Sequence, residues 1–70
     1  MSTELRITVN GESRTVAAGA SIADLLESLG VASPRIAVER NRDIVPKAEY
    51  AATALAEGDV FEVVELVGGG

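Results

Sequence analysis

Neither cysteine nor histidine occurs in this 70-residue chain, and this double absence limits what can hold so small a domain together. Chains of this size often depend on disulfides or on a structural zinc ion, and both need cysteine or histidine in nearly all cases. Only Phe61 and Tyr50 are aromatic, although apolar residues make up 47% of the chain. We therefore expect one domain with an aliphatic core and no bound metal ion.

The same absences remove most of the side chains that perform covalent and acid–base catalysis. The chain has no thiol nucleophile, no imidazole base and no Ser-His-Asp set. Some carboxylates could pair as acid and base: Asp24, Glu27, Asp43 and Glu49. Acids spread through an acidic domain are usually solvated, so we expect that the chain is not itself an enzyme.

The net charge of −5 bears on partners and location. It argues against nucleic acid and against anionic membrane surfaces, and it suits a protein partner with a positive docking patch. No apolar run approaches the roughly 20 residues of a membrane span. Residues 1–5 lack the basic and apolar regions of a signal peptide. We therefore expect a cytoplasmic protein.

Alternation and turn signals predict strands on both sides of one helix. Strand-like alternation at 5–9 is followed by Asn-Gly, which favours a type I′ hairpin turn, and by a second strand at 12–17. Apolar residues at helical spacing, after the N-cap Ser21, predict a helix over 22–29. Further strands are expected at 36–40, at 44–45 and at 60–67, with a short helix or 3₁₀ turn within 47–55. This order predicts an α+β fold, the β-grasp or ubiquitin-like fold, in which a mixed four- to five-stranded sheet packs on one main helix.

The last strand presents two competing faces. We place Phe61 and Val63 inward because Phe61 is the largest apolar side chain available to the core. Val64 and Leu66 are then exposed directly before the end of the sequence, and we predict that they dock a partner. Nearby acids, Glu62 and Glu65, would orient that partner through a basic rim.

Three consecutive glycines follow this strand: Gly68, Gly69 and Gly70. Glycine has no Cβ, so an extended glycine segment can thread a channel too narrow for side chains. Residues 67–70 reach about 13 Å at ~3.3 Å per residue. We therefore expect a β-grasp domain over 1–67 and a flexible tail over 68–70, which carries the carboxylate of Gly70 into a partner's active site.

Seven short stretches carry a family resemblance: VNGE at 9–12, AAG at 17–19, IADLL at 22–26, AVERN at 37–41, IVPKAEY at 44–50, EGD at 57–59 and VGGG at 67–70. With them the chain resembles the ThiS family, the bacterial sulfur carriers of thiamine biosynthesis. It departs in having Tyr50 where the family often has tryptophan, and a third glycine where two are the minimum.

The resemblance implies a reaction cycle in which partners perform the chemistry. An E1-like adenylating enzyme, ThiF-like, uses Mg-ATP to form an acyl-adenylate at Gly70, and Gly68 and Gly69 thread its channel. Sulfur from a persulfide donor replaces AMP to give a thiocarboxylate, and thiazole synthase, ThiG-like, takes that sulfur into the thiazole ring. The carrier binds no cofactor of its own, and we expect it to be a monomer when free.

Three alternatives share parts of this pattern. The small subunit of molybdopterin synthase has the same fold and tail, but it usually runs longer and lacks the IVPKAEY stretch. Another ubiquitin-like carrier could deliver sulfur to a different pathway. A non-covalent ubiquitin-like interaction module would have an inert tail.

Overall fold

A computed structural model describes residues 3–31 and 33–66 as one sheet packed against one α-helix. The predicted boundary between 67 and 68, and the glycine tail itself, lie outside the described residues. The elements in chain order are β1 Glu4–Val9, β2 Glu12–Ala17, α1 Ile22–Ser28, β3 Ile36–Arg40, β4 Asp43–Ile44, a 3₁₀ helix Lys47–Glu49 and β5 Val60–Glu65.

The sheet has five strands in the order β2-β1-β5-β3-β4. β1 and β5 run parallel at its centre, whereas β2 pairs with β1, and β3 with both β5 and β4, in antiparallel fashion. A mixed five-stranded sheet with one main helix confirms the predicted α+β class and the β-grasp fold.

Two tight turns set the register of the hairpins. Asn10 and Gly11 have φ values of 51° and 83°, and Val9 lies opposite Glu12. Positive φ at both turn positions is the type I′ geometry that Asn-Gly favours. The β3–β4 turn uses the same signs at Asn41 and Arg42, with φ values of 51° and 74°.

The helix begins at the predicted cap. The Ser21 hydroxyl accepts from the backbone N–H of Asp24 at 3.1 Å, and the Asp24 carboxylate accepts from the backbone N–H of Ser21 at 2.9 Å. This reciprocal capping box satisfies two donors that would otherwise lack partners. The helix ends at Ser28, and Leu29, predicted as its last residue, is the C-cap.

The core lies between the helix and one face of the sheet. It consists of Ile7, Val9, Ile22, Leu25, Leu26, Val38, Tyr50, Leu55 and Phe61, which are all buried. Val63, which we placed inward, is only half-buried, and so are Val16 in β2 and Leu29 after the helix, whose apolar side chains also predict a core position; all three pack against the margin of the core. As its composition predicts, the core is aliphatic apart from Tyr50 and Phe61.

The short edge strand differs from the prediction by one residue. We expected a strand at Ile44 and Val45, but β4 is Asp43–Ile44. The two-residue turn pairs Arg40 with Asp43, so Ile44 falls opposite Glu39. Ile44 is therefore 65% exposed, while Val45 turns toward the core.

Asp59 is a buried carboxylate that ties the β3–β4 turn to the start of β5. It is only 5% exposed. It accepts from Arg40 Nε at 3.0 Å, from Asn41 Nδ2 at 3.2 Å and from the backbone N–H of Ala56 at 2.9 Å. Asn41 Oδ1 in turn accepts from the backbone N–H of Val60 at 2.9 Å. Since a buried acid is stable only when it is paired and hydrogen-bonded, this network fixes both segments.

Candidate functional site

The two faces of β5 divide as the sequence predicts. Phe61 is completely buried against the helix, and Val63 on the same face is half-buried. Val64 and Leu66 are 52% and 53% exposed on the opposite side. The strand thus contributes to the core with one face and presents aliphatic side chains to solvent with the other.

The end of β5 is held in place from both sides. β1 ends at Val9, and beyond it the Asn10 side chain takes over the pairing with Val63. Asn10 Oδ1 accepts from the Val63 backbone N–H at 2.8 Å, and Asn10 Nδ2 donates to the Val63 carbonyl at 3.1 Å. On the β3 side, the Leu66 N–H donates to the Arg35 carbonyl at 2.7 Å. The backbone is therefore fixed up to Leu66, immediately before the segment 67–70.

The predicted site residues do not all lie together. Glu62 is exposed on the same face as Val64 and Leu66, as its position in β5 requires. Glu65 lies on the helix side, where it borders a shallow groove with Asn10 and Arg14. Three of the four predicted docking residues thus form one surface and Glu65 does not belong to it. Gly68, Gly69 and Gly70 lie outside the described residues.

Sequence reasoning missed part of this surface. Ile44 and Val60, which are 65% and 46% exposed, lie on the same face as Val64. Glu39 also belongs to it, because it is opposite Ile44 on one side and Glu62 on the other. We call the combined surface the outer face; its members are Glu39, Ile44, Val60, Glu62, Val64 and Leu66. Alternation in β5 places Val60 on one face with Glu62, Val64 and Leu66, so this position was predicted. Glu39 and Ile44 were missed, because their place on the outer face depends on the strand register.

Residues 3–31 and 33–66 lack the features of two other kinds of site. No group of three or more acidic, cysteine or histidine side chains there is arranged to hold a metal ion. No helix in this part of the chain is long and apolar enough to cross a membrane. The outer face and the sequence that follows it therefore remain the principal candidate site.

Comparison with known proteins places the chain in a family. Residues 7–70 match the ThiS family. A protein of Paramagnetospirillum magneticum named thiazole synthase is 46% identical over 66 residues, which are 94% of this chain and 20% of that protein. The chain thus spans about a fifth of the length of the thiazole synthases that it matches.

Two further relatives are similar to the chain over most of their own length. The sulfur carrier protein ThiS of Bacillus subtilis is 42% identical over 50 residues, covering 71% of this chain and 76% of that protein. The crystal structure of the thiamine biosynthesis protein ThiS from Geobacter metallireducens superposes with a TM-score of 0.80 at 33% identity, covering 94% of this chain and 100% of that one. The sequence match over nearly the whole chain and the shared fold lead to one conclusion: this chain belongs to the ThiS family.

Proposed function

We propose that this protein carries sulfur for the synthesis of the thiamine thiazole, as a thiocarboxylate at Gly70. The observation that carries the proposal is the ThiS-family match over residues 7–70, which includes the three glycines that follow β5 after Leu66 and Val67. The names of two relatives, a sulfur carrier protein and a thiazole synthase, favour this role over that of the small subunit of molybdopterin synthase.

The carrier contributes a carboxylate, and its partners contribute the catalysis. In the first step, a Gly70 carboxylate oxygen attacks the α-phosphorus of Mg-ATP in an E1-like adenylating enzyme, and pyrophosphate leaves. The terminal sulfur of a persulfide then attacks the glycyl carbonyl and expels AMP. Reduction of the resulting S–S bond by a thiol leaves the thiocarboxylate, from which thiazole synthase takes the sulfur. The chain needs no cysteine because the sulfur is bound to its carbonyl carbon.

Gly68 and Gly69 allow the carboxylate to reach the reacting groups. Without Cβ atoms, their backbone fits a narrow channel while the folded domain stays outside. The fixed backbone at Leu66 means that the segment 67–70 starts from a defined point on the domain. Contacts by Val64 and Leu66 would supply affinity, and the acid Glu62 on the same face would orient the partner by charge.

Mass spectrometry tests the proposal directly. The full chain is incubated with its cognate adenylating enzyme, Mg-ATP and a persulfide source, and then with thiazole synthase. We expect a mass gain equal to the exchange of one oxygen for one sulfur, which requires ATP and is lost after thiazole synthase turns over. A chain whose mass never changes would be an interaction module, and a thiocarboxylate that thiazole synthase leaves intact would indicate a different sulfur pathway.

We expect Val64→Asp and Leu66→Asp to weaken binding to both partners while the melting temperature stays close to that of the wild type. Both side chains are about half exposed, so the new carboxylate remains solvated in the free carrier but is buried without a partner in the complex. Calorimetric titration measures the affinity and thermal unfolding measures the stability. Ala48→Asp adds the same charge at an exposed position of the 3₁₀ helix, outside β5, and serves as the control.

A large loss of thermal stability in either variant, without a separate loss of affinity, would contradict the assignment of the strand's faces. Native affinity in both variants would show instead that the partners do not contact this part of the outer face.

A further inference from the structure

Two acids of the outer face lie opposite each other at an apparent cost in stability. Glu39 in β3 and Glu62 in β5 are cross-strand partners in an antiparallel register. The neighbouring bond from the Asn41 N–H to the Val60 carbonyl indicates that this is a hydrogen-bonded pair, whose Cα atoms lie about 5.5 Å apart. Like charges directly opposite each other destabilise a sheet.

The cation next to Glu39 in sequence is turned away from the acid pair. Arg40 is paired with Asp59, and it lies on the opposite face of β3 from Glu39. Glu62 is exposed and Glu39 is half-buried. Both carboxylates are therefore available to a group from outside the chain.

Aliphatic side chains border the acid pair across β4 and along β5. Ile44 lies beside Glu39 across β4, and Val60 and Val64 lie two residues to either side of Glu62 along β5. The exposed large hydrophobic residues of the described chain are Ile44, Val60, Val64 and Leu66, and all of them belong to the outer face. The surface thus combines an apolar border with a negative centre.

We infer that the outer face extends across the sheet to Ile44, and that its occupant is a surface of the adenylating enzyme bearing one arginine between Glu39 and Glu62. The inference rests on the proposed function and specifies the partner's chemistry. A guanidinium presents five donors in a planar fork that matches carboxylates, and arginine bordered by apolar contacts is frequent at the centre of interfaces. The net charge of −5 favours approach of such a cationic surface.

The test measures stability and affinity together in Glu39→Gln and Glu62→Gln. If the pair is maintained for binding, each substitution leaves the melting temperature equal or higher, because the repulsion is gone, and weakens binding to the cognate adenylating enzyme about tenfold. The double variant also shows a shallower dependence of affinity on salt concentration. Ile44→Ser weakens binding about fivefold at an unchanged melting temperature.

Glu27→Gln is the matched control, because it removes the same charge from an exposed position on the helix. Affinities of the Glu39 and Glu62 variants that equal those of this control would overturn the inference, as would a loss of affinity that merely follows a fall in melting temperature. Thiocarboxylate formation, measured at a saturating concentration of the adenylating enzyme, distinguishes the proposed arginine contact from the proposed sulfur-carrier function. Native binding with normal loading rejects the arginine contact alone, whereas a wild-type chain that is never loaded rejects the proposed function.

Discussion

Deletion of Gly70 should abolish adenylation by the cognate activating enzyme and leave the melting temperature unchanged. The reacting carboxylate would shift back by one residue, about 3.3 Å in an extended chain, and a misplacement of even 1 Å at a reacting centre can cost a hundredfold in rate. Within residues 3–31 and 33–66 the buried core ends at Phe61, and a glycine has no side chain to add to a core. Pyrophosphate release in the presence of Mg-ATP reports the adenylation rate, and thermal unfolding reports the fold.

Gly69→Val tests the same segment without changing its length. A branched side chain should fail to pass a channel shaped for glycine, so we expect the loss of adenylation to approach that of the deletion. Ala48→Val introduces the same side chain at an exposed position of the 3₁₀ helix and should leave the rate unchanged. A normal adenylation rate in both the Gly70 deletion and Gly69→Val would show that adenylation does not depend on the glycine tail, and this would contradict the carrier proposal.

Much of the fold was predictable because its signals are local. The Asn-Gly pair at 10–11 dictates a turn by its own conformational preferences, and the predicted bounds of β2 match the structure. Ser21 and Asp24 lie within a single turn, so their capping box is likewise visible in the sequence. Size distinguished the competing faces of β5, because Phe61 is the largest apolar side chain of the strand, and it is completely buried.

The features that escaped sequence reasoning depend on residues far apart in the chain. Asp59 follows a glycine and looks like an exposed turn acid, but its partners Arg40 and Asn41 lie 19 and 18 residues away. The pairing of Glu39 with Glu62 likewise exists only once β3 and β5 are in register. Such contacts are set by the sheet's topology, which a pattern of alternating residues does not specify.

Neighbouring residues of β5 lie in different environments, because one face of the strand is buried and the other is exposed. The strand pairs in parallel with β1 and in antiparallel fashion with β3. Its inward residue Phe61 therefore lies opposite Val9 on one side and opposite Arg40 on the other. Its outward face keeps aliphatic side chains in water at Val60 and Val64. The inward face supplies stability, and under the proposed function the outward face supplies recognition, so substitutions one residue apart should affect different measurements.

Phe61→Ala should lower the free energy of unfolding by roughly 3–5 kcal/mol, the usual cost of truncating a buried phenylalanine. Phe61 is fully buried at the centre of the sheet, and domains in general are stable by only about 5–15 kcal/mol. Much of the variant should therefore be unfolded at moderate temperature in a denaturant titration. Val60→Ala, one residue earlier and 46% exposed, should change stability by less than about 0.5 kcal/mol.

The same pair of variants separates folding from recognition. A stabilising osmolyte should return Phe61→Ala to the folded state. The folded fraction should then be adenylated at the wild-type rate, because Phe61 is completely buried and has no exposed surface for a partner to contact. Val60→Ala should instead fold normally and bind the adenylating enzyme more weakly, since it removes part of the outer face. A stability loss under about 1 kcal/mol for Phe61→Ala would contradict its central place in the core. If refolded Phe61→Ala were adenylated slowly, the inward face of β5 would affect recognition as well as stability, contrary to the proposal.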